Sequence, residues 1–342
     1  MNRNIFKFIG LAIGLGVLLF LLLILFPRDY DVPEFRERAG TQYWDLPTGS
    51  RIGYTLLPGK NDKRKTPIIY LHGGPGGWIT DQHIEMLKPL AEDGYDVYLY
   101  DQVGSGHSGR LEDIGKYTVV RHKKDLEAIV QKIGSEKVAL IGQSWGAMLL
   151  SSYLADNCER VAKAIVTGPG PILPIRPALA KIRPPDSLNL REPAVSNREG
   201  NWKANNIRSR FMRFVAYAFG KKLASDREAD HFFTYLNNEL KKSTLCDTAL
   251  VRESEGGGGY YAHLMTVKSF DTVEDRRAGL KACNTPVLVL RGQCDNQKWG
   301  FAQEYLELFP NSRLEVIPGA GHSIWEEQPE QYVRLVRGFL GE

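Results

Sequence analysis

The run Lys137-Val138-Ala139-Leu140-Ile141 is apolar and strand-like, Gly142-Gln143-Ser144-Trp145-Gly146 follows it directly, and Ala147-Met148-Leu149-Leu150-Ser151-Ser152-Tyr153-Leu154 reads as helix. A serine at the tip of a sharp strand-to-helix turn needs glycines two residues before and after it, because a Cβ there would collide with the neighbouring strand or helix. The strained turn lifts the hydroxyl clear of the sheet, and the helix N-terminus behind it favours developing negative charge. Isolated, the pattern is often only a turn. Between a strand and a helix it marks Ser144 as a candidate nucleophile.

Serine needs a base to take its proton, and the base needs an acid to fix its tautomer. Asp295 and His322 stand downstream in the required order. Thr285-Pro286-Val287-Leu288-Val289-Leu290-Arg291 reads as a buried strand with Asp295 just past it, and Arg313-Leu314-Glu315-Val316-Ile317 as the next strand, with His322 in the loop that follows. Both candidates then sit at the carboxyl edge of a parallel sheet, where open α/β sheets place their sites. Upstream, the strand Pro67-Ile68-Ile69-Tyr70-Leu71 leads into His72-Gly73-Gly74-Pro75-Gly76-Gly77. Backbone can approach a substrate closely there and supply one N–H donor to an oxyanion, the other coming from the amide of Trp145. Pro75 has no N–H. Gly74 is therefore the preferred donor, with Gly73 or Gly76 as alternatives.

Together with Asp101-Gln102-Val103-Gly104-Ser105-Gly106-His107-Ser108 and the run through Glu159-Arg160-Val161, these motifs resemble the proline iminopeptidase (prolyl aminopeptidase) group of α/β-hydrolases. The resemblance covers about residues 46–170 and 284–342. It implies a mostly parallel sheet flanked by helices, an inserted helical cap, a Ser-Asp-His mechanism with no metal or cofactor, and release of an N-terminal residue, often proline, from peptides. Val103 stands where that family usually has arginine, and the Asp295 loop lacks its usual Gly-Arg-x-Asp pattern. A membrane-anchored carboxylesterase or lipase-like hydrolase is the alternative, and a catalytically silent binding module the non-enzymatic one.

A chain of 342 residues holds one large domain with an insertion, or two small ones. The expected organisation is an anchor at 1–27, a linker at 28–45, the first part of the core at 46–170, a cap at 171–283 and the second part of the core at 284–342. Strands are expected at Arg51–Leu57, Asp96–Tyr100 and Ala164–Thr167 besides those above. Helices are expected at Asp81–Glu92, Val119–Ile133, Trp145–Ala155, Trp299–Leu308 and Pro329–Phe339. Within the cap, helical patterns fall near Asn201–Phe219 and Asp226–Lys242. The net charge of +4 and the absence of basic runs interleaved with aromatics give no sign of nucleic-acid binding. The His and Cys residues show no zinc-like spacing.

Residues 8–26 are glycine and apolar side chains without a charge, long enough to cross a hydrocarbon core. No small-residue cleavage site follows, so a single-pass signal anchor in the lipid bilayer is expected, with the catalytic domain on the non-cytoplasmic side. The four cysteines are even in number, as export allows. Cys283 and Cys294 lie at opposite ends of one strand, about 20 Å or more apart at ~3.3 Å per residue, and should not pair with each other. An aminopeptidase must also hold a free ammonium. Arg252-Glu253-Ser254-Glu255-Gly256-Gly257-Gly258-Gly259-Tyr260-Tyr261 is the candidate, with Glu255 or Glu253 on the amine and Tyr260 walling a small ring, unless it is a solvated loop. Cys294, beside Asp295, is a further candidate pocket residue, or a structural thiol.

Overall fold

The computed structural model describes residues 3–60 and 65–342. Met1 and Asn2, part of the expected anchor, lie outside the described residues. In chain order the elements are α1 (Arg3–Leu25), β1 (Gln42–Asp45), β2 (Arg51–Leu57), β3 (Ile68–Leu71), α2 (Asp81–Glu92), β4 (Val97–Tyr100), α3 (Val119–Ile133), β5 (Val138–Gln143), α4 (Trp145–Asn157) and β6 (Val161–Thr167). An insertion follows, with α5 (Asn197–Ala204), α6 (Ile207–Phe219), α7 (Asp226–Leu240), α8 (Tyr260–Lys268) and α9 (Arg277–Ala282). The sheet then resumes with β7 (Val287–Gly292), α10 (Trp299–Leu308), β8 (Ser312–Ile317), α11 (Ile324–Glu327) and α12 (Pro329–Gly341).

The eight strands lie in the order β1-β2-β4-β3-β5-β6-β7-β8. β1 and β2 pair antiparallel, as do β2 and β4, and all later pairings are parallel. Alternation along the buried strands sends side chains to two separate cores. Ile69, Leu71, Leu140, Val166 and Val289 face α3, α4 and the cap, whereas Ile68, Tyr70, Ile141, Ile165 and Leu288 face α2 and α12. The helices that cover the sheet carry matching stripes. On α3 the buried positions include Val119, His122, Leu126, Ile129 and Val130, and Thr118 caps the first turn by accepting from the Arg121 amide at 3.1 Å.

Two disulfides, Cys158–Cys283 and Cys246–Cys294, tie the insertion to the core, one at its C-terminal end and one from its interior. Cys283 and Cys294 thus take separate partners. Removing the Cys246–Cys294 bridge by the double replacement Cys246→Ser, Cys294→Ser is expected to cost on the order of 2–4 kcal/mol. A chemical denaturation midpoint equal to that of the parent would contradict this.

The segment expected as a linker is not a free tether. β1 falls inside it and pairs with β2 through Gln42↔Tyr54 to Asp45↔Arg51. Ahead of β1, Tyr30 is buried against Phe232, with ring centroids 5.3 Å apart, and the Pro33 carbonyl accepts from the Gly256 amide at 2.9 Å. α1 is long and apolar enough to cross a membrane over Phe6–Leu25.

Candidate active site

Ser144 joins β5 to α4 with φ 53° and ψ −113°, a conformation that L side chains rarely adopt. The surrounding backbone holds it there. The Ser144 amide donates to the Thr167 carbonyl on β6 at 2.9 Å, and its own carbonyl accepts from Ala147 and Met148 to start α4. A Cβ on Gly142 would stand 2.6 Å from the Gly146 carbonyl, and one on Gly146 would strike the Leu71 carbonyl on β3. Steric exclusion therefore demands both glycines. The Ser144 side chain makes no capping bond to α4, which leaves its hydroxyl directed at a cavity shared with His322.

His322 and Asp295 follow β8 and β7, adjacent parallel strands that deliver both loops to one edge. Asp295 is buried, and its Oδ1 lies 2.9 Å from Nδ1 of His322 and 2.9 Å from the Gln297 amide. Burial pushes the Asp295 carboxyl upward. Contact with His322, the Arg291 guanidinium and the Gln297 amide outweigh that effect and hold the carboxyl below its usual range. An ionised carboxylate only accepts, so Nδ1 carries the proton and Nε2 is left as the basic nitrogen.

The loop after β3 is anchored from three sides. His72 is buried and neutral, because desolvation lowers its pKa more than Asp101 and the Gly73 carbonyl raise it. Its Nδ1–H donates to the Gly73 carbonyl at 2.8 Å and its Nε2 accepts from the Gln102 amide at 2.9 Å. The Gln102 side chain donates to the His72 carbonyl at 3.1 Å and accepts from Trp145 Nε1 at 2.8 Å. One amide side chain thus connects this loop to the first residue of α4. From the cap, the Gly259 amide donates to the Gly76 carbonyl at 2.8 Å and His263 Nδ1 to the Pro75 carbonyl at 3.0 Å. Burial drops the His263 pKa to about 4, so this ring also stays neutral. Gly259 must be glycine for this approach, since a Cβ there would meet the Gly104 carbonyl.

The cavity measures about 350 Å³ and is walled by Gly73, Gly74, Trp78, Phe233, Trp325, Lys241 and Glu326 among others. Glu326, not among the residues expected from the sequence, stands four residues after His322 on α11. Its Oε2 is buried without a hydrogen-bond donor, as is Oδ1 of Asn296 in the same cavity. Burial raises the Glu326 carboxyl, with Lys241 and Arg252 opposing it. Lys241 is lowered by burial, against the pull of Glu326 and Glu253. Spacing from His322 was the available signal for Glu326.

The four substrate-binding candidates lie elsewhere. Glu253 and Glu255 are exposed and line an adjacent cavity of about 530 Å³, where Glu255 stands 3.9 Å from Arg36. Tyr260 opens α8 in the cap interior, its hydroxyl donating to the Ser209 carbonyl at 3.3 Å and its ring edge-on to Phe232. Cys294 is buried in its disulfide and contributes no free thiol. A larger groove of about 760 Å³ runs between α2 and α12, but it contains neither Ser144 nor His322. Chemistry rather than size selects the smaller cavity.

Comparison with known proteins agrees with this architecture. A family profile described as the alpha/beta hydrolase fold matches residues 66–329. The proline iminopeptidase of Lactobacillus delbrueckii subsp. bulgaricus is 25% identical over 303 residues, covering 86% of this chain and 96% of that protein. The proline iminopeptidase of Heyndrickxia coagulans is 28% identical over 302 residues, with the same coverage. Among solved structures, the esterase EaEST from Exiguobacterium antarcticum superposes with a TM-score of 0.59 at 18% identity, over 88% of this chain and 99% of that one. With the parallel sheet, the elbow and the loop edge in place, the chain belongs to the α/β-hydrolase fold family, and within it resembles the proline iminopeptidases.

Proposed function

We propose that this hydrolase is a membrane-anchored serine aminopeptidase of the proline iminopeptidase type, cleaving an N-terminal residue from small peptides. Ser144 attacks the first peptide carbonyl while His322 Nε2 takes its proton, and Asp295 holds the Nδ1–H of the resulting imidazolium. The amides of Gly74 and Trp145 receive the oxyanion. His322 then passes the proton to the departing amine, and water, activated by the same imidazole, releases the acyl group from Ser144. α1 is the anchor, with the catalytic domain on the non-cytoplasmic side. Two disulfides support that side, since such bonds persist in oxidising compartments.

The observation that carries the peptidase reading is Glu326. Glu326 lines both the cavity of the nucleophile and the neighbouring α2–α12 groove, and its buried carboxylate oxygen without a donor is matched by a substrate that brings its own N–H donors and positive charge. The Asn296 Oδ1, likewise unpartnered, is a second acceptor in the same cavity. Glu326→Gln keeps size and polarity and removes the charge. A loss of about 1.5–3 kcal/mol corresponds to roughly ten- to two-hundred-fold in kcat/KM. That loss is expected with free-amine aminoacyl arylamides and absent with N-acetylated arylamides or short acyl esters. Because the Glu326 carboxyl is raised and must be ionised to pair, the wild-type preference for free amines should fade as pH falls, while Glu326→Gln shows no such change. Equal wild-type activity on free and N-blocked substrates would replace this reading with the esterase.

A further inference from the structure

The cap does not merely hang beside α1 but grips its C-terminal end. Arg208 on α6 and Glu228 on α7 form a buried ion pair, with Nη2 to Oε2 at 2.6 Å. The same pair holds the end of α1 and the chain just past it: Arg208 Nη1 donates to the Ile24 carbonyl, and Glu228 Oε1 accepts from the Arg28 amide at 3.0 Å. The last carbonyls of a helix lack intrahelical partners, so these bonds fix the exit of α1 rather than leaving it a swivel. Higher up, Phe20 packs edge-on against Phe211 of α6 with centroids 5.9 Å apart.

That aromatic contact sets a depth. Phe20 lies five residues before the end of α1 at Leu25, about 8 Å inside a spanning helix at ~1.5 Å per residue. An amphipathic helix lying in a membrane surface buries its apolar face about 5–10 Å into the headgroup and acyl boundary. α6 has the composition for that position. Its outer face carries Phe214 at 54% exposure and Phe219 at 64%, with Ile207 and Tyr217 also exposed. Arg210 and Arg213 flank Phe214 and Tyr217 around one shallow depression, and neither guanidinium is in an ion pair among the described residues.

We infer that α6 is an interfacial membrane helix: Phe214, Tyr217 and Phe219 insert into the outer acyl boundary beside α1, and Arg210 and Arg213 meet lipid phosphates. The inference rests on α1 spanning the bilayer, which is part of the proposed function. It adds that the cap is seated on lipid in one orientation.

All four native cysteines are paired, so single cysteines can be introduced and spin-labelled without competition. The full-length protein in phosphatidylcholine–phosphatidylglycerol nanodiscs would carry Phe214→Cys or Phe219→Cys on α6. Val120→Cys provides an exposed control on the core and Leu15→Cys a control within α1, with retained hydrolysis as the check on folding. Several-fold greater collision with oxygen, relative to a water-soluble nickel chelate, is expected at 214, 219 and 15 than at 120. Labels at 214 and 219 that behave like the one at 120, while 15 is lipid-buried, would overturn the α6 proposal and leave the anchor standing. A water-accessible label at 15 would overturn both.

Discussion

Replacing Ser144 by alanine is expected to abolish labelling by a fluorophosphonate and to lower kcat by roughly 10⁴- to 10⁶-fold. The hydroxyl is the only atom lost, and it makes no capping bond whose removal would loosen α4. The elbow itself is held by backbone, through the Thr167 carbonyl and the Gly142 and Gly146 contacts, and alanine keeps the Cβ already tolerated at φ 53°. Stability should therefore stay within about 1 kcal/mol of the parent. Residual turnover above the uncatalysed rate would come from the oxyanion amides and binding alone. A variant that still forms a phosphonylated adduct at a different serine, with near-normal turnover, would remove Ser144 from the mechanism.

What was legible in the sequence is what short-range sterics dictate. The glycine spacing around Ser144 reports contacts within one strand-turn-helix unit, and its geometry follows the pattern. α2, α3 and α10 run over the same residues as their hydrophobic stripes. β1 was not legible, because a four-residue edge strand is defined by its partner 6 to 12 residues on rather than by its own pattern. Cap helices α8 and α9 were missed for a related reason: α8 begins at Tyr260 directly after four glycines, which read as a loop. Each of those glycines is packed against distant chain, Gly256 and Gly257 against Phe35, Gly258 against Phe233 and Thr234, and Gly259 against the Gly76 and Gly104 backbone, tertiary contacts with no local signature. The sequence sets Glu253 and Glu255 beside aromatics, yet the chain turns both toward the neighbouring cavity. The carboxylate at the Ser144 cavity instead comes from α11, just past His322.

Asp295→Asn should lower kcat by about 10⁴-fold, with the change in KM small. Asp295 Oδ1 accepts at once from His322 Nδ1 and the Gln297 amide. In the variant, an amide NH₂ turned toward the ring would ask Nδ1 to accept, moving the imidazole proton to Nε2. Nε2 then has no lone pair for the Ser144 proton, although ring and nucleophile remain in place. The substitution also leaves Arg291 Nη1, 3.7 Å from Asp295 Oδ2 and buried without a hydrogen-bond acceptor, facing a neutral group. A stability loss of up to about 3 kcal/mol is expected near neutral pH. Its pH dependence has a fixed sign. The Asp295 carboxyl is held below its usual range, so its ionisation contributes stability that is fully present above the unfolded pKa of about 3.9 and is lost as pH falls through the lower folded value. The gap in unfolding free energy between parent and variant should accordingly be flat above about pH 5 and narrow in acid. A gap that widens in acid, or a fall in kcat of less than tenfold, would show that Asp295 is not the residue that orients His322.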